Sequence, residues 1–156
     1  MLQKGKKAPA FRLPRSGGGA VASKDLLGKW VVLYFYPRDM TPGCTTEARD
    51  FRDASAAFAA RDAVVLGVSK DSVARHEKFV EKEALPFDLL SDEDGATIEA
   101  FGAWGEKNMY GKKAMGIVRT TVLIDPAGKV AEVFANVRVK GHVERVLAAL
   151  DALQRA

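Results

Sequence analysis

Cys44 is the only cysteine in a chain of 156 residues, and its neighbours are of the types that make a thiol react. It closes the spacing Pro37-x-x-x-Thr41-x-x-Cys44, which gathers a ring-locked residue, a hydroxyl and a thiol on one short stretch. A thiolate held there can displace one oxygen of R–O–O–H in line, giving a sulfenic acid and an alcohol or water. Two demands follow: the thiolate must exist at neutral pH, and charge moving onto the leaving oxygen must meet fixed donors. Thr41 offers a hydroxyl to hold the attacked oxygen. Pro37 and Pro42 restrict the stretch and leave the N–H groups of Gly43 and Cys44 free to point at a ligand. Each residue alone has a plainer reading: a small buried hydrophobe for Cys44, a loop or capping residue for Thr41, a strand terminator for Pro37. The joint spacing is what favours the chemistry.

The elements that must position these residues are legible on either side. Trp30-Val-Val-Leu-Tyr-Phe-Tyr36 is a β-branched and aromatic run that reads as a buried strand. A loop punctuated by Pro and Gly follows, then an amphipathic helix from about 44 to 60, with Phe51, Ala54 and Phe58 on one face. Cys44 therefore falls at or within one residue of a helix N-terminus, where unpaired N–H groups and the macrodipole favour a thiolate.

Ala63-Val-Val-Leu-Gly-Val-Ser69 is a second buried strand, so strand, helix and strand form a right-handed parallel crossover. Phe11 to Val21 reads as a small hairpin closed by three glycines, with Ser23 or Asp25 capping a turn that ends at Gly28. Asp71 or Ser72 caps a helix to about Glu83, with Val73, Phe79 and Val80 on its buried stripe. A short strand at 86–90 and a short helix at 92–100 come next, then a glycine-rich loop from Gly102 to Gly116. Val118–Ile124 and Val130–Ala135 form an antiparallel hairpin around Asp125-Pro-Ala-Gly128, and a final helix spans about 140–153. The sum is an α/β chain, a mixed sheet flanked by helices with an N-terminal β-hairpin, expected to be one domain over 1–156.

Composition excludes several classes. The charge of +4 is spread along the chain and interleaved with 20 acidic residues, without stacking aromatics, so no nucleic-acid partner is expected. The opening Met-Leu-Gln-Lys-Gly-Lys-Lys lacks an apolar core of a signal peptide, and no apolar run is long enough to span a membrane. With one cysteine there is no intrachain disulfide, and a cytoplasmic setting is expected. His76 and His142 lie on different helices, read as a helix-surface and a helix-start residue with no ligand cluster nearby, so no metal is expected. No cofactor motif is present: Ser16-Gly-Gly-Gly19 lies in a hairpin, not between a strand and a helix.

At this point the residues resemble a family. Tyr34-Phe-Tyr-Pro-Arg-Asp-Met-Thr-Pro-Gly-Cys-Thr-Thr-Glu47 is similar to the peroxiredoxins, in particular the bacterioferritin comigratory protein or peroxiredoxin Q group. The resemblance continues through Gly67-Val-Ser-Lys-Asp-Ser72, Trp104-Gly-Glu-Lys-Asn-Met-Tyr-Gly111 and Gly116-Ile-Val-Arg-Thr-Thr-Val-Leu-Ile-Asp125. It implies a thioredoxin-like fold with an N-terminal hairpin extension. It also implies a peroxidatic role for Cys44, a hydroxyl partner in Thr41, a shielding proline in Pro37 and an active-site arginine in Arg119. Gly43, Thr41 and Arg119 would contact substrate. Glu47 reads as a polar partner for a neighbouring arginine. Members commonly carry a resolving cysteine five residues after the first, where this chain has Arg49, and others place it in the helix that here ends near Ala84. The resemblance thus implies a one-cysteine thiol peroxidase whose sulfenic acid is released by an outside thiol, glutaredoxin with glutathione or thioredoxin. A monomer is expected, a weak dimer being the alternative. A peroxide-responsive sensor or chaperone would share every one of these residues.

Overall fold

The computed structural model describes residues 2–156. At its centre lies a five-stranded mixed sheet. Strand β3 (Trp30–Phe35) pairs in parallel with β4 (Ala63–Ser69), and β4 in parallel with β5 (Leu89–Ser91). On the other side β3 pairs antiparallel with β8 (Thr120–Ile124), which pairs antiparallel with β9 (Val130–Phe134). The hairpin of β1 (Arg12–Pro14) and β2 (Ala20–Ala22) is the expected N-terminal extension.

The period of the central strand explains why it sits in the middle. Val31, Leu33 and Phe35 face one core, shared with Phe11, Leu13, Leu66, Ile98, Phe101 and Val122. Val32, Tyr34 and Tyr36 face a second core, shared with Cys44, Ala48, Phe51, Phe58, Phe79 and Val146. That second face is covered by α1 (Pro42–Asp53), α2 (Ser55–Ala60), α3 (Val73–Glu83) and α5 (His142–Arg155). The first is covered by the N-terminal hairpin and α4 (Ala96–Ala100). Full burial of a side chain such as Phe51 or Phe79 is worth roughly 1.5–3 kcal/mol, so Phe51, at 0% exposure, binds the cysteine-bearing helix firmly to the sheet.

Several boundaries differ from the sequence expectation. The helix after Cys44 is two helices, interrupted at Ala54 (φ −97°, ψ 7°). The Ala54 N–H still reaches Asp50 O, and Phe58 N–H reaches Ala54 O, so the Phe51 and Phe58 rings stay 5.8 Å apart on one face. Ser23 does not cap its turn: its hydroxyl accepts from Phe11 N–H, an unpaired donor of the neighbouring hairpin. The strand expected at 86–90 is Leu89–Ser91, and the helix expected from Asp92 starts at Ala96 after Gly95 (φ 78°). Asp92 instead turns inward to accept from Ile98 N–H at 2.7 Å.

The largest correction is the segment 102–116. It is a hairpin of β6 (Trp104–Met109) and β7 (Lys112–Ile117), paired without interruption from Trp104↔Ile117 to Met109↔Lys112. Its two-residue turn, Tyr110 (φ 53°) and Gly111 (φ 78°), has positive φ at both positions, the geometry that matches strand twist. Gly105 and Gly116 face each other in register. These glycines gave the segment the look of a loop while the pairing runs through backbone groups that carry no side-chain pattern.

Candidate active site

Cys44 is the third residue of α1, one position deeper than the sequence suggested, because the helix begins at Pro42 with Thr41 as its N-cap. Proline suits that first position, having no N–H to leave unpaired. The first helical bond runs from Thr45 N–H to Thr41 O. The amides of Gly43 and Cys44 have no acceptor among the described residues, and the Thr41 side chain does not cap them. Thr41 Oγ1 instead donates to Arg38 O at 2.8 Å, which commits its proton and leaves the oxygen as an acceptor.

Arg119 lies in the two-residue link between β7 and β8, just ahead of the strand it was expected to open. That link delivers the guanidinium to the N-terminal turn of α1. Nη2 donates to Cys44 Sγ at 3.4 Å, and Nη1 to Glu47 Oε1 at 2.6 Å. A Cβ at position 43 would come within 3.3 Å of Arg119 Nη2, so glycine there keeps the guanidinium close to the sulfur. Pro37 is half-buried just after β3, on the same loop. Cys44, Gly43 and Arg119 are thus brought to one place, with Thr41 as the N-cap of the same helical turn and Cys44 only 2% exposed.

The electrostatics of the site centre on the guanidinium. Burial opposes its charge, but Glu47 and the Cys44 sulfur more than offset this and hold its pKa above the ordinary arginine value. Glu47 is fully buried, and burial pushes its carboxyl up to about 7 against the pull of Arg119. Among the described residues its Oε2 has no hydrogen-bond partner, and neither has the buried Tyr34 hydroxyl. Burial first, then the charges of Glu47 and Cys44, raise the Tyr34 pKa well above its usual value. The Tyr34 ring stacks on Phe51 at 4.6 Å, forming the wall behind the helix. Gly67 on β4 gives it room, since a Cβ there would lie 2.9 Å from Tyr34 Cζ.

Three residues around this centre were missed or misread in the sequence. Lys107 on β6 has its pKa lowered by burial and by the Arg119 charge, with the Cys44 sulfur opposing, so it feels both groups. The loop reading of its segment hid it. His142 begins its helix as expected but is buried, bonded to Thr121 Oγ1 at 2.8 Å. Burial, then the charges of Arg145 and Arg119, lower its pKa to about 4. His76 is not on a helix surface: it is 0% exposed and pairs through Nδ1 with Asp39 Oδ2 at 2.7 Å. Asp39, Asp71 and His76 offer ligand-type atoms within 4.8 Å of one another, a cluster the sequence did not suggest. Those atoms are already engaged with each other and with Tyr36, Ser69 and Arg75.

The fold and this site define a class: a thioredoxin-like domain with an arginine-bound thiol at a helix start. Residues 4–133 match the AhpC/TSA family, and the chain belongs to that family. It is 50% identical over 149 residues to peroxiredoxin Bcp of Bacillus subtilis, covering 96% of this chain and 95% of that protein. Among solved structures, the bacterioferritin comigratory protein of Xanthomonas campestris is 44% identical, with a TM-score of 0.89 over 96% of this chain and 98% of that one. A peroxiredoxin Q mutant from Xylella fastidiosa is 38% identical, with a TM-score of 0.93 over 99% and 98%. The chain is accordingly a peroxiredoxin of the Bcp or peroxiredoxin Q type, a thiol-dependent peroxidase.

Proposed function

We propose that this peroxiredoxin reduces hydrogen peroxide and organic hydroperoxides through Cys44 alone and returns to its thiol by reaction with an external thiol. The observation that carries the reading is the Arg119 guanidinium, which touches Cys44 Sγ and is held by Glu47. The Cys44 thiolate attacks the terminal oxygen of R–O–O–H; the O–O bond breaks, RO⁻ takes a proton and leaves as ROH, and the sulfur becomes S–OH. Arg119 and the amides of Gly43 and Cys44 stabilise the negative charge at sulfur and on the departing oxygen. Thr41 Oγ1, its proton given to Arg38 O, accepts from the peroxide hydroxyl. Pro37 shields the pocket. The alkyl peroxide reduction described for the Xanthomonas relative supports organic hydroperoxides as substrates here.

The sequence holds no second cysteine, so release falls to a partner thiol R′SH. It attacks the sulfenic sulfur, expels water and leaves a Cys44–S–S–R′ mixed disulfide; a second R′SH then frees Cys44 and departs as R′–S–S–R′. Glutaredoxin with glutathione, or thioredoxin, supplies such thiols in a reducing cytoplasm. No helix among the described residues is long and apolar enough to cross a membrane. In this reading residues 1–156 act as one domain and as a monomer. Steady-state peroxide consumption with each reductant in turn tests it: turnover without accumulation of a Cys44-linked dimer is expected, and recycling only through such a dimer would overturn it.

A further inference from the structure

The loop that leads to Thr41 and the start of α1 is fastened by one buried residue, Asp39, all of whose polar groups are taken. Its N–H donates to Asp71 Oδ2 at 2.9 Å, and its carbonyl accepts from Arg75 Nη2 at 3.1 Å. Oδ1 accepts from the Tyr36 hydroxyl, and Oδ2 meets His76 Nδ1 at 2.7 Å. His76 Nε2 faces the Leu90 carbonyl at 3.0 Å, so that nitrogen carries hydrogen. One further proton is shared between Nδ1 and Oδ2. Both side chains are 0% exposed, so parting them would strand two buried polar groups with no water to replace the bond.

What the lock restrains is visible in the next residue. Met40 has φ 63°, a left-handed conformation that a side chain with a Cβ resists. Asp39 anchors the loop on one side of this strained residue, and Thr41, the N-cap of α1, follows on the other. Nothing in the peroxide chemistry touches Asp39 or His76.

We infer that the Asp39–His76 pair is the positioning device of the peroxide site, setting Thr41 and the opening turn of α1 in register with Arg119. The inference rests on the peroxidatic reading of Cys44. Loosening the pair should misplace the Thr41 acceptor and the Gly43 and Cys44 amides, while Arg119 and Glu47 continue to hold the sulfur.

The test compares Asp39→Asn, Asp39→Ala, His76→Ala and the double variant Asp39→Ala/His76→Leu. Three quantities are measured for each: the rate with hydrogen peroxide, the rate of Cys44 alkylation by iodoacetamide, and the unfolding temperature. Asparagine can donate to Nδ1 and accept from Tyr36, so Asp39→Asn should retain the peroxide rate within about threefold. Asp39→Ala and His76→Ala should lose about tenfold or more in peroxide rate, with alkylation changed less than about threefold. The double variant removes both buried polar partners and should regain stability without regaining peroxide rate. A peroxide rate in the double variant equal to wild type would overturn the inference, as would Asp39→Asn failing as badly as Asp39→Ala. Cys44→Ser is run alongside: peroxide reduction there would sink the peroxidatic reading itself, a result separable from any behaviour of the Asp39 variants.

Discussion

Arg49 on α1 donates from Nε to Glu83 Oε1 at 2.6 Å and from Nη2 to Oε2 at 3.3 Å, joining the cysteine-bearing helix to the C-terminal turn of α3. Arg52, one turn further on, donates to the Glu83 backbone carbonyl at 2.9 Å. The position where the family resemblance leads one to expect a resolving cysteine therefore carries a two-point ion pair that ties α1 to α3. A disulfide between positions five apart on a helix would need it to open, because their Cα atoms lie about 8–9 Å apart. Here that demand is absent and the fastening opposes it.

Hydrogen exchange across residues 45–53 should accordingly look alike in the reduced and sulfenic forms. Arg49→Ala should raise exchange there several-fold while changing the initial peroxide rate little. The Arg49 hydrogen bond holds the Glu83 carboxyl below its ordinary value. The fastening is therefore fully present above the usual carboxylate range and lost as pH falls through the lowered value. Extensive loss of protection on oxidation at neutral pH would show that the helix opens for another purpose.

Arg119→Ala should cut peroxide reactivity about ten- to a thousand-fold, about 1.4–4 kcal/mol of transition-state stabilisation, the scale of one preorganised donor. Arg119→Lys should not restore it, since a single ammonium cannot reach Glu47 and the sulfur together as the two guanidinium nitrogens do. Stopped-flow measurement of sulfenic acid formation is the check.

Thr41→Val should lose a comparable factor and Thr41→Ser should keep most of the rate, because the hydroxyl bonded to Arg38 O survives in serine. Equal peroxide rates for Thr41→Val and wild type would remove Thr41 from the chemistry.

Glu47 gives a pH dependence of definite sign. Its folded pKa, about 7, lies above that of the unfolded chain, so the fold favours the neutral acid. The contribution is fully present below the unfolded value of 4.5 and is lost as pH rises through about 7. Glu47→Gln, which keeps an acceptor for Arg119, should thus gain stability over wild type as pH rises across that window, by up to about 3 kcal/mol at its upper end. Urea unfolding at pH 5 and pH 8 measures it; a gain no larger at pH 8 than at pH 5 would show that Glu47 is ionised in the fold throughout.

Much of this molecule is legible in its sequence because the relevant signals are local. The aromatic and β-branched run at 30–36 and the Pro and Gly punctuation before Cys44 predict the strand, loop and helix that the structure shows. Arg119 is different: it stands 75 residues from Cys44, and its family resemblance, not any local pattern, pointed to it. The Asp39–His76 pair was hidden for a related reason. An aspartate and a histidine amid charged neighbours look solvated until the fold brings them together across 37 residues. The β6–β7 hairpin was masked by glycines whose pairing leaves no alternation of apolar side chains.

The most direct test is to treat reduced protein with one equivalent of hydrogen peroxide and then with a thiol, following Cys44 by mass spectrometry. Cys44 should gain one oxygen, convert to a mixed disulfide with the added thiol, and return to the free thiol with more of it. Cys44→Ser should show none of these and consume no peroxide. Peroxide reduction by Cys44→Ser at the wild-type rate would contradict the account at its root.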